Sequence, residues 1–574
     1  MSAAETKWPL HGPDWLERDR NVIDGLDHLG IQVVSINLYG SLLPGITNVT
    51  DRARYYSFYP WVLHRYAQRG ASESSRNEWR SWIRRLDYAF ALASARAEAE
   101  EPAAGTAVVG INAARRALKD KASTAVIDVI AATEVNEKGK AKAKAYFQSP
   151  EGGLGQYYKG ALQVLGIAAE TKEFRDVDWQ LTANAGKVLA KAVDDTPGFN
   201  DLLEGARSGS LTVGDLETIG GFIHPAAIPK DSTERQVLTE LILGRGEAYC
   251  EAQLPEERQW RQDSLSLLLD FVGAHPKGVA SIADDFRWGV LEGKTLDNQL
   301  WQPPIRLKPA MQAWAGYQRN DLMNFALETL FWVSLRRLDE ADAKRERLGP
   351  YDLARHVSQT ILTALEDDGV GYSPLAADTS LSDALHSHRH ELDPASPNIK
   401  QAGSMRSWAR QVELATKRGK EDETRAAAMA THILLRIATD TRIDRERPFG
   451  GCPAATPIFQ AYEVHLRAWA ARCEARKSER LDKFLADLIL DWILFRHLRV
   501  ATRKAAAQGV STFKFRPEEG ELVCIVDDPP KPVLTNPRLR QAGRILADLG
   551  YLETRSKREC LTDEGRALLD SLDV

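Results

Sequence analysis

Apolar residues in this chain recur at helical spacing over stretch after stretch, while the strict alternation of a half-buried strand is clear only once. Residues 78–99, EWRSWIRRLDYAFALASARAEA, place Trp82, Leu86, Ala89 and Phe90 at i, i+4, i+7 and i+8, the stripe of an amphipathic helix. Similar periodicity runs through 186–207, 233–244, 260–273, 309–338, 351–366, 405–440, 456–475 and 477–507. The alternating exception is FKFRPEEGELVCIV, residues 513–526, in which two runs flank a Pro-Glu-Glu-Gly turn and predict a hairpin. A mainly α fold follows: a multi-domain helical body with a small α+β module at the C-terminal end. At 574 residues the chain exceeds what one hydrophobic core sustains. Breaks rich in Gly, Pro, Ser or Asp predict an N-terminal helical domain 1–175, a central helical domain 176–367, a loop or insertion 368–402, a helical segment 403–476 and a final module 477–574.

Composition narrows the setting. Five cysteines, Cys250, Cys452, Cys473, Cys524 and Cys560, are scattered without a CxxC pair, which argues for a reducing compartment and against a structural zinc site. The start, MSAAETKWPLHGPDW, has no basic region followed by an apolar core, and nowhere does an apolar run approach the roughly 18 residues of a membrane span. A cytoplasmic protein without a membrane partner is expected. The net charge of -5 is unevenly distributed: from Arg496 to Arg558 there are thirteen Lys/Arg against seven Asp/Glu, which leaves the remainder at about -11. A nucleic-acid partner is therefore compatible with the acidic total.

The C-terminal stretch NPRLRQAGRILADLGYLETRSKRECLTDEGRALLDSL has a readable order. Asn536 and Pro537 suit a helix start, Leu539, Ala542, Ile545, Leu546 and Leu549 make an apolar face, and Gly550 suits the stop. Tyr551 and Leu552 begin a strand, the Thr554–Arg558 turn joins it to Cys560-Leu561, and Thr562 suits the cap of a last helix. This helix, "GYLE" strand, basic turn and "LTDEG" helix start resemble the end of bacterial winged-helix proteins over about 40 residues. The resemblance implies a groove-entering helix from Arg538 to Leu549 and a wing at Arg555 to Arg558. The implied nucleic-acid contacts are Arg538, Arg540 and Arg544 near the helix start, Arg555, Lys557 and Arg558 on the wing, and Arg496, Arg499, Arg503 and Lys504 on the preceding long helix. The same charges suit a solvated face on a protein-docking module.

A second dense block, residues 38–66, interleaves Arg52 and Arg54 with Tyr55, Tyr56, Tyr59 and Trp61, a composition that fits either a candidate interface or a buried aromatic core. Together with GGLGQYY at 152–158 and WAGYQRNDLMNFALE at 314–328, it resembles uncharacterised helical proteins of bacterial defence or mobile-element loci, which implies other protein subunits as partners. The run from His386 through His388 and His390 to Asp393 is the only dense set of metal-ligating types. It lacks the HExxH order, and its Asp/Ser/Pro-rich flanks suggest a solvated loop, so no metal is assigned. There is no Walker loop and no GxSxG elbow, so no catalytic residue and no cofactor is assigned. The leading expectation is a non-enzymatic DNA-associated adaptor or subunit of a bacterial complex, in a setting such as antiviral defence. The alternatives are a metal-dependent nucleic-acid-processing enzyme and a structural subunit that uses the winged helix for docking.

Overall fold

Helix formation follows the apolar stripes just described. The computed structural model describes residues 27–69, 75–98, 107–136, 140–141, 145–170, 179–366, 375–389, 405–418, 422–443, 448–509 and 511–572. Its principal elements run in the order α1 (Tyr55–Ala67), α2 (Arg76–Glu98), α3 (Pro255–Gly273), α4 (Ile282–Glu292), α5 (Lys308–Ala343), α6 (Leu381–Arg389), α7 (Glu423–Ile443), α8 (Phe495–Gln508), β1 (Phe515–Glu518), β2 (Glu521–Cys524), α9 (Leu539–Asp548), β3 (Leu552–Arg555), β4 (Arg558–Leu561) and α10 (Asp563–Leu572). The fold is mainly α, and the sheets among the described residues are two-stranded antiparallel pairs. No described helix is long and apolar enough to cross a membrane.

Several elements follow the sequence closely. In α2, Trp79, Trp82, Ile83, Leu86, Ala89, Phe90 and Ala93 are all buried, as the stripe requires. The expected hairpin is β1–β2, closed by Glu519 at φ 51° and Gly520 at φ 91°, the two positive-φ residues of a type I′ turn. Other elements differ. The 186–207 pattern is two helices, Gly186–Asp194 and Phe199–Ser208, because Pro197-Gly198 interrupts the ladder. α1 starts at Tyr55 and carries Pro60 inside it. Residues 381–389, expected within a loop, form α6, because Leu381, Ala384, Leu385 and His388 share one buried face.

The chain divides into two compact units, one of Met1–Leu38 with Gln312–Thr535 and one of Tyr39–Met311 with Asn536–Val574. These boundaries do not follow the expected ones. The stretch expected as a final module is divided at Thr535, and the stretch expected as two helical domains is not divided near 175. The reason lies in the faces that are buried: α1 packs on the 186–194 helix and α2 on the helix Val213–Ile223, so the N-terminal and central segments share one core.

In the unit that holds Gln312–Thr535, α5 carries a buried polar edge. Asp321 accepts from Thr535 N at 3.1 Å and from its hydroxyl at 2.7 Å, and Glu328 accepts from Gln32 Nε2 at 2.7 Å and Val533 N at 3.2 Å. Burial pushes the Glu328 carboxyl up to about 8. These side chains give partners to the backbone of the Pro-rich segment that leads to Asn536, a segment with no ladder of its own.

In the other unit, α9 packs against α4, β4 and α10 pack against α3, and β3 lies against α9 and β4. Val279, between α3 and α4, exchanges two backbone hydrogen bonds with Glu559 of β4, its N–H donating at 2.9 Å and its carbonyl accepting at 2.8 Å. A third, one-residue strand thus lies beside the β3–β4 hairpin.

Candidate nucleic-acid interface

The apolar face of α9 is buried as expected, through Leu539, Ala542, Ile545, Leu546 and Leu549. The helix begins one residue beyond a left-handed Arg538 at φ 65°, whose N–H donates to the Asn536 side chain, so Asn536 shapes a turn and does not cap the helix. Gly550 at φ 78° ends the helix, and Thr562 Oγ1 accepts from Gly565 N at 2.9 Å in the cap of α10.

One flank of α9 is engaged by residues 43–53 of the same unit. Arg538 donates to Ile46 O at 2.7 Å, and its guanidinium lies 5.1 Å from the centre of the Tyr39 ring. Gln541 donates to Asn48 O at 3.0 Å, and Arg544 pairs with Asp51 at 2.9 Å. Asp548 accepts from Arg52 Nε at 3.0 Å and from Ala53 N at 3.0 Å. Positions 538, 541, 544 and 548 lie along one side of a helix. Arg538 and Arg544 were expected to be exposed, but both are half-buried and tied to this segment; on α9 only Arg540 among the three arginines is exposed.

The β3–β4 turn is different. Arg555, Ser556, Lys557 and Arg558 are all exposed, with Ser556 at φ 50° and Lys557 at φ 63°. Arg555 pairs with Glu553, and Arg558 donates to Gly278 O at 2.8 Å. A type I′ turn without glycine or asparagine holds two L-residues in a costly region, and the result is a tight hairpin that projects its cations.

The four cations of the long helix belong to the other unit. Arg496 is buried, donating to Leu29 O at 2.6 Å and pairing with Glu463 at 3.1 Å, and Lys504 donates to Asp27 O at 2.8 Å. These two were expected on a phosphate-binding surface and are instead used to hold backbone carbonyls. Arg499 and Arg503 are exposed.

The aromatic block is core, and the candidate-interface reading of its residues is corrected by their burial. Arg52 is 6% exposed, and Arg54, Tyr55, Tyr56, Tyr59 and Trp61 are 0% exposed. Arg54 makes a two-point ion pair with Glu234 at 2.9 and 3.2 Å and donates to His224 O at 3.1 Å. The polar heads of Tyr55, Tyr56, Tyr59 and Trp61 have partners as well. Tyr55 Oη accepts from Val109 N, Tyr56 donates to Gly45 O, and Trp61 Nε1 donates to Asp194. Tyr59 donates to Asp87, which also accepts from Tyr146 and from Gly153 N. The two glycines that open the GGLGQYY segment thus sit against a buried carboxylate, Gly153 through its N–H and Gly152 so closely that a side chain there would collide with Asp87. Burial pushes Asp87 up to about 6 against the pull of these three donors.

The described histidines of the run, His386 and His388, part company. His386 is exposed, while His388 is buried against His432 of α7, Nε2 to Nδ1 at 2.9 Å. His388 Nδ1 lies 2.7 Å from Ala384 O, which only accepts, so Nδ1 carries the proton and Nε2 accepts from His432. Burial holds His388 down at about 4 and His432 at about 3, so the pair is neutral near pH 7. His390, Glu391 and Asp393 lie outside the described residues. Among the described residues no group of three or more His, Cys, Asp or Glu side chains could hold a metal ion.

An open groove that the sequence did not announce lies beside Tyr551, lined by Lys230, Arg235, Thr239, Arg245 and Glu564 among others. Its charges are largely answered within it: Lys230 pairs with Glu564 at 2.8 Å, and Arg235 donates to Leu549 O at 2.6 Å. No protein-family model, curated protein or solved structure matches the chain.

Proposed function

We propose that this protein is a non-enzymatic DNA-associated adaptor or subunit of a bacterial multi-protein complex, with genome defence as its setting, and that it meets DNA through its C-terminal winged-helix-like hairpin. The observation that carries the reading is the exposed turn from Arg555 to Arg558, three cations on a tight hairpin, of which Arg555 is ion-paired with Glu553. Cations so placed add affinity by neutralising phosphates and releasing counterions. A salt series of duplex-DNA binding by the intact chain tests it: affinity should fall steeply with salt, and an intact chain that binds no duplex at low salt would end the proposal. The docking alternative is favoured by one observation, the cover that residues 43–53 place over the flank of α9. On that reading the hairpin is a contact for another subunit, and the salt series returns no binding.

A further inference from the structure

A winged helix in its usual order places a helix, a short strand, a second helix, the groove-entering helix and then the wing between two strands. The unit that ends at Val574 contains this order, in two pieces. Helix α3, the one-residue strand at Val279 and α4 form the first piece, and α9, β3, the turn, β4 and α10 form the second. α3 packs on α4, β4 and α10, and α4 packs on α9. Gly543 of α9 faces Ile282 of α4, where an added Cβ would come to 3.3 Å, and Gly278 lies so close to Cys560 and Glu559 that a side chain at 278 would have to displace them. The whole of Gln312–Thr535 is inserted between the second and third helices. A reading of the last 40 residues alone therefore sees half of the module.

We propose that residues 255–292 and 536–574 form one split winged helix whose nucleic-acid contact is the wing alone, so that it binds the phosphate backbone of duplex DNA without regard to sequence. This rests on the DNA-associated reading above and names its ligand more narrowly. The side chains left available on α9 are too few to read a site. Base reading by a helix in the major groove takes several side chains of that helix reaching base edges, typically three or four. In α9, Arg538, Gln541, Arg544 and Asp548 are committed to Ile46, Asn48, Asp51 and Arg52, and among the outward positions only Arg540 and Ala547 are exposed. One arginine does not discriminate a site. The wing offers Arg555, Lys557 and Arg558, all exposed: Lys557 stands at its tip, Arg555 pairs with Glu553, Arg558 spends one of its donors on Gly278 O, and cations so placed meet phosphates and carry no sequence information by themselves.

The test uses the full chain and a set of duplexes of equal length and unrelated sequence, over a range of salt. Affinities should agree within about threefold across the set, since the contact is to a backbone common to all of them. Replacing Arg555, Lys557 and Arg558 together by Ala should flatten the logarithmic salt dependence by about 2.7, at about 0.9 per phosphate contact. Lys557→Gly is the variant safest for the fold, because Gly accepts the φ of 63° without strain, and it should flatten the dependence by about 0.9. A hundredfold preference for one duplex, or an unchanged salt dependence in the folded variants, would overturn the wing-only contact while leaving DNA association standing. Failure of the unaltered chain to bind any duplex would overturn both.

Discussion

Replacement of Asp548 by Ala should destabilise the unit that carries the hairpin by about 3–5 kcal/mol, the cost of breaking a buried ion pair from one side. The side chains of Asp548 and Arg52 are 6% and 7% exposed, and the carboxylate accepts two hydrogen bonds from the guanidinium and a third from Ala53 N. Removing it strands a cation and a backbone donor away from water, and neither is replaced by solvent without opening the contact between residues 43–53 and α9. The intact pair is a different matter. Burial raises Asp548 above its ordinary value in spite of Arg52, so desolvation outweighs attraction and the pair contributes little net stability. The double replacement Arg52→Met with Asp548→Leu should therefore recover the part of the loss that comes from the stranded guanidinium, leaving only the cost of the unpaired Ala53 N–H. Urea unfolding followed by hydrogen exchange at residues 539–549 reads both effects in the relevant unit. A cost below about 1 kcal/mol for Asp548→Ala would refute the claim that this segment is locked onto the helix.

Tyr56→Ala should cost about 3–5 kcal/mol, because a fully buried ring is lost, whereas Tyr56→Phe should cost about 1 for the bond to Gly45 O; denaturant titration separates the two. Asp87, raised to about 6 in the folded chain against an ordinary 3.8, binds protons more tightly folded than unfolded, so its contribution is greatest at low pH and is lost as pH rises from about 4 through 6. A carboxyl resonance that titrates near 4 in the native protein would contradict this. His388 and His432 have the opposite sign: both are depressed, so stability present above about pH 6.5 falls as pH drops toward 4. Melting temperatures of the parent and of His388→Gln across that range should diverge, and parallel curves would show that the pair does not carry the acid sensitivity.

Much of the C-terminal geometry was legible because its signals are local. The stripe at 539, 542, 545, 546 and 549, the stop at Gly550 and the cap at Thr562 each depend on neighbours a few residues away. The partner half at 255–292 was not, since a packing contact across the whole of Gln312–Thr535 leaves no periodic trace. Nor does an arginine announce its use: Arg496 and Arg538 look like surface cations in a string of letters and spend their donors on the carbonyls of Leu29 and Ile46. In the aromatic block composition left two readings open, and burial chose the core. The histidine run misled through its polar flanks, although Leu381, Ala384, Leu385 and His388 already stood at i, i+3, i+4 and i+7.

Hydrogen exchange of the full chain with and without a saturating duplex tests the DNA contact most directly. The expected result is new protection confined to residues 552–561, with exchange at 43–53 and 539–548 unchanged because those segments are already engaged with each other. Protection that appears along 539–548, or that leaves 552–561 untouched while DNA is bound, would contradict it.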